Sequence, residues 1–250
     1  MKVVVCVKQI GALGDEVEFT DDERDVDPDY LDLALNEWDT YATEEALRLR
    51  EAAGEGEVVV VSVGSEDAEE AMRRCLAMGA DRGIRIDSED RLDPIQVARA
   101  LAEVVRGEPA DLVFCGVQSA DSVQAATGTA LAELLELPRV AVVTKIELAE
   151  GKATVHRELE GGLVDVVEVD TPALLTIQTG INEPRYATLR AIKQAEEKEI
   201  EVREPSGLGE PAYRVRKMFV PPKGEGAEML DGSPAAVAER IKEIVDERLK

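Results

Sequence analysis

Aromatic side chains make up only 3% of this 250-residue chain, so its core must be packed from aliphatic and small residues. Histidine occurs once, and His156 sits on a strand-like segment with no neighbour to form a dyad, which leaves it no catalytic assignment. The three cysteines, Cys6, Cys75 and Cys115, lie in apolar surroundings without C-x-x-C spacing. That pattern argues against dithiol or metal chemistry and predicts buried, reduced thiols of a cytoplasmic protein. No run of 18 apolar residues exists, and the apolar part of the opening MKVVVCVKQI is too short for a signal peptide. A soluble protein without membrane insertion is expected. Lysine and arginine number 29 against 53 acidic residues, and a formal net charge of -24 repels phosphate backbones, so nucleic acid is excluded as a partner. The surplus acid is spread through Asp15–Asp32, Glu66–Glu70 and Glu196–Glu204. Dispersed acid with few lysines fits a protein kept soluble in high salt, as in halophiles; an acid-rich partner surface is the alternative.

What the chain does have is hydrophobic periodicity. Val3–Val7 and Val58–Val63 are nearly continuous β-branched runs, the pattern of strands covered on both faces. Arg82–Ile86, Leu112–Cys115 and Val140–Val143 supply further short strands. Between them, Ala42, Ala46, Leu49 and Ala53 share a helix face that Gly54 ends, and Ser65 is placed to cap a helix carrying Ala68, Ala71, Met72 and Cys75. Asp93-Pro94 reads as cap plus first turn of another, and a fourth helix is expected from about Ser122 to Leu135. Alternating strands and helices predict a parallel sheet with right-handed crossovers. After residue 144 the rhythm changes: Lys145–Leu148, Ala153–Leu159 and Val164–Val169 read as an antiparallel meander turning at Glu150-Gly151 and Gly161-Gly162. The α/β domain is expected over residues 1–198. Residues 199–250 read as an extended, proline-rich arm tipped by an amphipathic helix that Ser233-Pro234 caps, wrapping either its own domain or a second subunit.

Two segments carry the functional signal. The first follows the strand at Leu112–Cys115 and runs Gly116-Val117-Gln118-Ser119-Ala120-Asp121-Ser122-Val123-Gln124-Ala125-Ala126-Thr127-Gly128. A glycine after a strand and a helix starting near Asp121 or Ser122 would offer free N–H groups and a positive dipole to an anion, though many such turns hold Gly and Asp only for capping. The second, Asn182–Ala195, sets Leu189 and Ile192 among Arg185, Arg190 and Lys193 after the apolar run Ala173–Ile177. Such a pattern is either an anchor for a partner protein or a short amphipathic helix packed on its own domain. Gly11 and Gly14 lack the third glycine of a dinucleotide fingerprint, and a hairpin is expected there.

Together these motifs resemble the electron transfer flavoprotein beta-subunit family, in order and spacing, from residue 2 to about 204. The resemblance implies a parallel-sheet, adenine-nucleotide-hydrolase-like (Rossmann-type) domain with an antiparallel extension and an extended C-terminal arm. Asn-Glu-Pro-Arg-Tyr-Ala-Thr-Leu matches the family's recognition loop (residues 182–195 here) residue for residue, with Arg190 where the family has proline. By that match Leu189, with Tyr186, Arg185 and Ile192 beside it, docks into acyl-CoA and other flavin dehydrogenases. Gly116, Gln118, Asp121, Thr127 and Gly128 match the adenosine-phosphate loop, while Ser122, Val123 and Ala126 depart from the acidic residues and glutamine of AMP-binding members. Gln124 and Ala125 complete that loop. The resemblance further implies that Cys6, Asn36, Glu37, Trp38, Asp39 and Val63 line the nucleotide. Trp38 and Leu13 would lie near the partner's flavin. The segment Val155–Gly162, continuing to Pro172–Thr176, resembles the beta-subunit signature, with Asp165 where glutamate or glutamine is usual, and Glu158 in it would pair with an arginine of the flavin domain. The implied protein carries AMP, or in electron-bifurcating relatives a second FAD, and pairs with an FAD-binding alpha subunit. It passes electrons to a quinone oxidoreductase and has no catalytic residues or metal of its own. A free-standing adenine-nucleotide sensor on the same fold is the third reading.

Overall fold

A computed structural model describes residues 1–14, 16–89, 91–222, 224, 226–227 and 229–249. The chain runs β1 (Lys2–Cys6), β2 (Gln9–Leu13), β3 (Leu31–Leu35), α1 (Glu37–Ala53), β4 (Glu57–Gly64), α2 (Ala68–Met78), β5 (Arg82–Asp87), α3 (Pro94–Arg106), β6 (Leu112–Gly116), α4 (Thr127–Leu135), β7 (Arg139–Ala149), β8 (Lys152–Glu158), β9 (Val164–Asp170), β10 (Ala173–Ile177), α5 (Leu189–Glu196), β11 (Ile200–Arg203) and α6 (Pro234–Arg248). One sheet has the order β11-β5-β4-β1-β6-β10-β7-β8-β9, parallel from β11 to β7 and antiparallel across β7, β8 and β9. The small β2–β3 hairpin stands apart from it.

The valine runs are buried on both sides because successive side chains leave opposite faces of the sheet. Val3, Val5, Val58 and Val60 join Leu47, Met72 and Leu76 under α1 and α2, while Val4, Val59 and Val61 join Leu101, Val104 and Leu131 under α3 and α4. Phe114 is the largest of the fully buried side chains, which is how a chain poor in aromatics fills its centre. Truncating a fully buried leucine such as Leu47 or Leu131 to alanine costs about 2–5 kcal/mol.

Helix ends follow local chemistry where nothing competes. Gly54 closes α1 in the left-handed region (φ 78), and the Asp93 carboxylate accepts from Ile95 N and Gln96 N, while Gln96 Oε1 accepts from Asp93 N, a complete capping box. Elsewhere the structure departs from expectation. Ser65 does not cap α2, which starts at Ala68 after Ser65 has turned through its main-chain carbonyl to Ala68 N. Helix α4 begins at Thr127, not near Ser122, and residues 117–126 form an irregular loop. The strand expected at Val140–Val143 and the one at Lys145–Leu148 are a single strand, β7. A register shift where Val142 takes φ 62 and its N–H donates to Thr176 Oγ1 (3.0 Å) lets it pair with β10 in parallel and then with β8 in antiparallel fashion. The Gly11 hairpin forms, but between residues 9–13 and 31–35.

The segment beyond Glu199 first supplies the edge strand β11. It then follows the domain through hydrogen bonds from Arg99 to Leu208 O (2.7 Å) and from Gln96 to Gly209 O (3.1 Å). Helix α6 is capped by Ser233 as expected, and none of its residues is buried.

Candidate functional site

The chain leaves β1 toward β4 and β5 on one side and returns to β6 on the other, so strand order reverses between β1 and β6. A doubly wound sheet opens a crevice at such a reversal, beyond the carboxyl ends of the two strands. Cys6 and Cys115 stand side by side there in register, both buried. The Cys6 thiol and burial push the Cys115 pKa well above its ordinary value, so it is a neutral thiol. All three cysteines are free. Val63 lies half-buried near the end of β4.

Asn36 and Asp39, at the start of α1, hold the crevice together. Asp39 Oδ2 accepts from Lys8 N (2.8 Å) and Oδ1 from Gly116 N (3.0 Å), joining the ends of β1 and β6. Burial pushes the Asp39 carboxyl up to about 7 against the lowering effect of those N–H groups. Asn36 Nδ2 donates to Gln118 O (2.9 Å) and its Oδ1 accepts from Ala120 N (3.2 Å). The polar atoms of both side chains are therefore engaged by the protein itself, and they bear on a ligand through the shape of the loop they hold. Gly116 is required by the same packing: a Cβ there would meet Asp39 Oδ1 at 2.4 Å and Trp38 Cβ at 2.6 Å.

The loop after Gly116 turns through Val123 (φ 51) and Ala125 (φ 50), left-handed backbone that neither side chain favours. Ser119 Oγ lies 2.9 Å from Ser122 Oγ, and Lys8 Nζ donates to both Asp121 oxygens (2.7 and 2.6 Å) and to Ser119 Oγ (3.3 Å). Burial raises the Asp121 pKa, but Lys8 and Ser119 outweigh it and the carboxyl is lowered. Gln124 Nε2 donates to the Tyr213 hydroxyl (2.5 Å), so the arm touches this loop. Thr127 is the first residue of α4, and Ala126 before it brings no side-chain cap, leaving the first-turn amides without one. Glu37 is exposed at the start of α1.

Trp38 is half-buried, and its indole N–H donates to Gln178 Oε1 (2.9 Å); Gln178 Nε2 in turn donates to Glu158 Oε2 (3.1 Å). A bridge thus runs from α1 past the end of β10 to the end of β8. Leu13 is exposed at the tip of the hairpin.

The segment after β10 is pinned at both ends. Asn182 donates to Tyr41 O (3.1 Å) and Glu45 Oε2 (3.0 Å), while Arg185 grips Glu44 (2.8 and 3.0 Å) and Glu51 (2.6 and 3.1 Å) on α1. At the far end Arg73 donates to Ala195 O (2.8 Å) and Lys198 to Ala80 O (2.6 Å). Arg185 is therefore turned onto its own domain, whereas it had been expected beside the partner. Between these pins Thr188 caps α5, and Tyr186, Leu189 and Ile192 are 99%, 82% and 42% exposed. The short helix exists, but of its residues only Ala195 is buried. Among the described residues no group of His, Cys, Asp and Glu is arranged to hold a metal, and no helix is long and apolar enough to cross a membrane.

Sequence reasoning missed Lys8, Gln178, Glu44 and Tyr213. Each acts on residues at least 20 positions away, and only the strand order reveals Lys8, as the lysine just past the reversal.

This doubly wound domain, with a loop at its strand reversal and an exposed leucine at the start of α5, has counterparts. The electron transfer flavoprotein domain matches residues 26–208. The electron transfer flavoprotein subunit beta of Methylophilus methylotrophus is 44% identical over 261 residues, covering 99% of this chain and 98% of that protein. The subunit beta of Homo sapiens is 38% identical over 213 residues (84% and 83%), and that of Bacillus subtilis 36% over 229 residues (88% and 87%). The chain belongs to the electron transfer flavoprotein family, as a beta-type subunit of electron transfer.

Proposed function

We propose that this chain is the fixed base of a heterodimeric electron carrier. Paired with an alpha subunit that binds FAD, it docks flavin dehydrogenases, acyl-CoA dehydrogenases among them, and delivers their electrons to a quinone oxidoreductase. The observation that carries this reading is the Asn182–Ala195 segment: pinned by ion pairs and hydrogen bonds on both flanks, it holds Leu189 and Tyr186 out in solvent. Ordering an apolar side chain outside the core has a cost that a docking partner offsets.

The β1–β6 crevice fits an adenosine phosphate, AMP in this reading. It has a strand reversal, a loop fixed by Asn36 and Asp39, and uncapped first-turn amides at α4. Gln118 to Thr127 would surround the nucleotide, with Cys6 and Val63 at the floor. Bound there, AMP supplies charge and surface but no redox chemistry. The electron-carrying flavin belongs to the alpha subunit, whose flavin domain Glu158 would meet, held in place by Gln178, with Trp38 and Leu13 facing the flavin. The chain expected as an arm from residue 199 first completes the base, through β11 and the contacts at Leu208 and Gly209, and its remainder with α6 would wrap the alpha subunit. The dispersed acid fits a cytoplasmic protein of a high-salt cell.

The test is Leu189→Ala in the assembled heterodimer. Leu189 is exposed at the first position of α5, so folding and cofactor content should be unchanged, whereas losing a docking anchor worth about 2 kcal/mol or more should slow dehydrogenase-driven reduction roughly 30-fold. Unchanged transfer rates would remove the docking assignment.

A further inference from the structure

Building on the nucleotide reading above, we propose that Lys8 supplies the positive charge by which the β1–β6 crevice selects an adenosine phosphate over adenosine. The loop from Gly116 to Gly128 contains no lysine or arginine, and the protein as a whole carries a formal charge of -24. Beyond the α4 amides, any full positive charge for a phosphate entering that field has to come from outside the loop. Lys8 lies two residues past the end of β1, at the point where the strand order reverses.

Its main chain is fixed on both sides: Lys8 N donates to Asp39 Oδ2 (2.8 Å) and Lys8 O accepts from Asn36 N (3.0 Å). Its ammonium reaches across to Asp121 and Ser119 of the loop, and the side chain is still about half exposed, at 45%. A side chain whose root is clamped and whose charge hangs over the loop is preorganised for an anion arriving from solvent. The arrangement also gives a phosphate-type loop a use for a carboxylate. Asp121 is the positioning residue that holds the ammonium over the loop. The competing role for the same pair is a tether that only orders the loop. A tether would serve adenosine and AMP equally; a phosphate counter-charge serves AMP alone.

The experiment uses the heterodimer freed of bound nucleotide, titrated calorimetrically with AMP and with adenosine, for wild type, Lys8→Met and Lys8→Arg. A charge-assisted hydrogen bond to phosphate corresponds to about 10- to 100-fold in affinity. Lys8→Met should therefore weaken AMP by that factor and leave adenosine within about twofold, a margin set by the same affinity scale. Lys8→Arg should restore most of the AMP affinity. Equal losses for both ligands, or no loss for either, would overturn the proposal while leaving the nucleotide site standing. A wild-type heterodimer that binds neither AMP nor adenosine would remove the nucleotide reading, and Lys8's role with it. If Lys8→Met does not assemble, Lys8→Gln, which keeps a polar side chain without the charge, is titrated in its place: a loss confined to AMP supports the proposal, and equal losses for both ligands or no loss overturn it.

Discussion

Replacing Asp39 with asparagine gives the sharpest test of how the crevice is held. Both carboxylate oxygens accept main-chain N–H groups, one from Lys8 at the end of β1 and one from Gly116 at the end of β6, and the residue is buried. Asparagine has one acceptor oxygen, so its amide nitrogen must face one of those N–H groups. Leaving a buried donor unpaired costs about 1–3 kcal/mol. The cost carries a pH signature. Burial raises the Asp39 carboxyl from 3.8 to about 7 in the folded chain, so between those values the folded state holds a proton that the unfolded state has released. Wild-type stability from this group is greatest at low pH and is lost as pH rises toward 7, at roughly 1.4 kcal/mol per pH unit. The amide that replaces the carboxyl does not titrate. Urea unfolding of wild type and Asp39→Asn at pH 5, 6, 7 and 8 should therefore show a wild-type stability, taken relative to the variant, that falls by about 2 kcal/mol between pH 5 and 7 and by less than about 0.5 kcal/mol beyond. Taking the difference between the two proteins cancels the titration of the other carboxylates. A difference independent of pH, or one that moves in favour of wild type as pH rises, would refute the burial argument, because the two N–H groups would then dominate and hold the carboxyl low.

Gly116→Ala should destabilise the chain by about 2 kcal/mol or more and lower nucleotide content, because the new methyl collides with Asp39 and Trp38 on a helix that cannot retreat; denaturant midpoints and nucleotide content check it. Glu108 accepts from Lys2 (2.7 Å) and Arg82 (2.5 Å) and lies beside Arg203. Burial raises its pKa, but those cations hold it at about 2, so the stability it contributes is present above its unfolded value of 4.5 and is lost as pH falls toward 2. Glu108→Gln should flatten that acid limb while lowering stability at neutral pH, read from unfolding midpoints between pH 2 and 6.

The parallel sheet was legible in the chain because Val3–Val7 and Val58–Val63 had no alternative to two-sided burial. Asp93-Pro94 was legible because a capping box is local. The start of α4 was not. Asp121 and Ser122 look like caps, yet Lys8 takes the Asp121 carboxylate and Asn36 takes Ala120 N, contacts more than 80 residues away in sequence that pull the segment out of helix. The continuity of β7 was hidden for a related reason: its turn from parallel to antiparallel pairing depends on Thr176 of β10 meeting Val142. At the site, the loop from Gly116 was readable from residue types, whereas the pattern around Leu189 fitted an exposed side chain and a helix packed on its own domain equally well, and only the family resemblance favoured exposure. The orientation of Arg185 was not, because an arginine among basic neighbours looks solvent-facing until Glu44 and Glu51 of α1 are placed beneath it. Local chemistry was enough wherever no distant side chain competed for the same polar atoms.

If this chain is a nucleotide-filled base for a separate flavin subunit, its cofactor content in the assembled complex must show it. The most direct measurement is co-expression with an electron transfer flavoprotein alpha subunit, followed by acid release and quantification of the bound nucleotides per heterodimer. One FAD and one AMP are expected. Two FAD would instead place a flavin in this crevice and make the complex electron-bifurcating, and a chain that neither assembles with an alpha subunit nor retains any adenylate would contradict the claim outright.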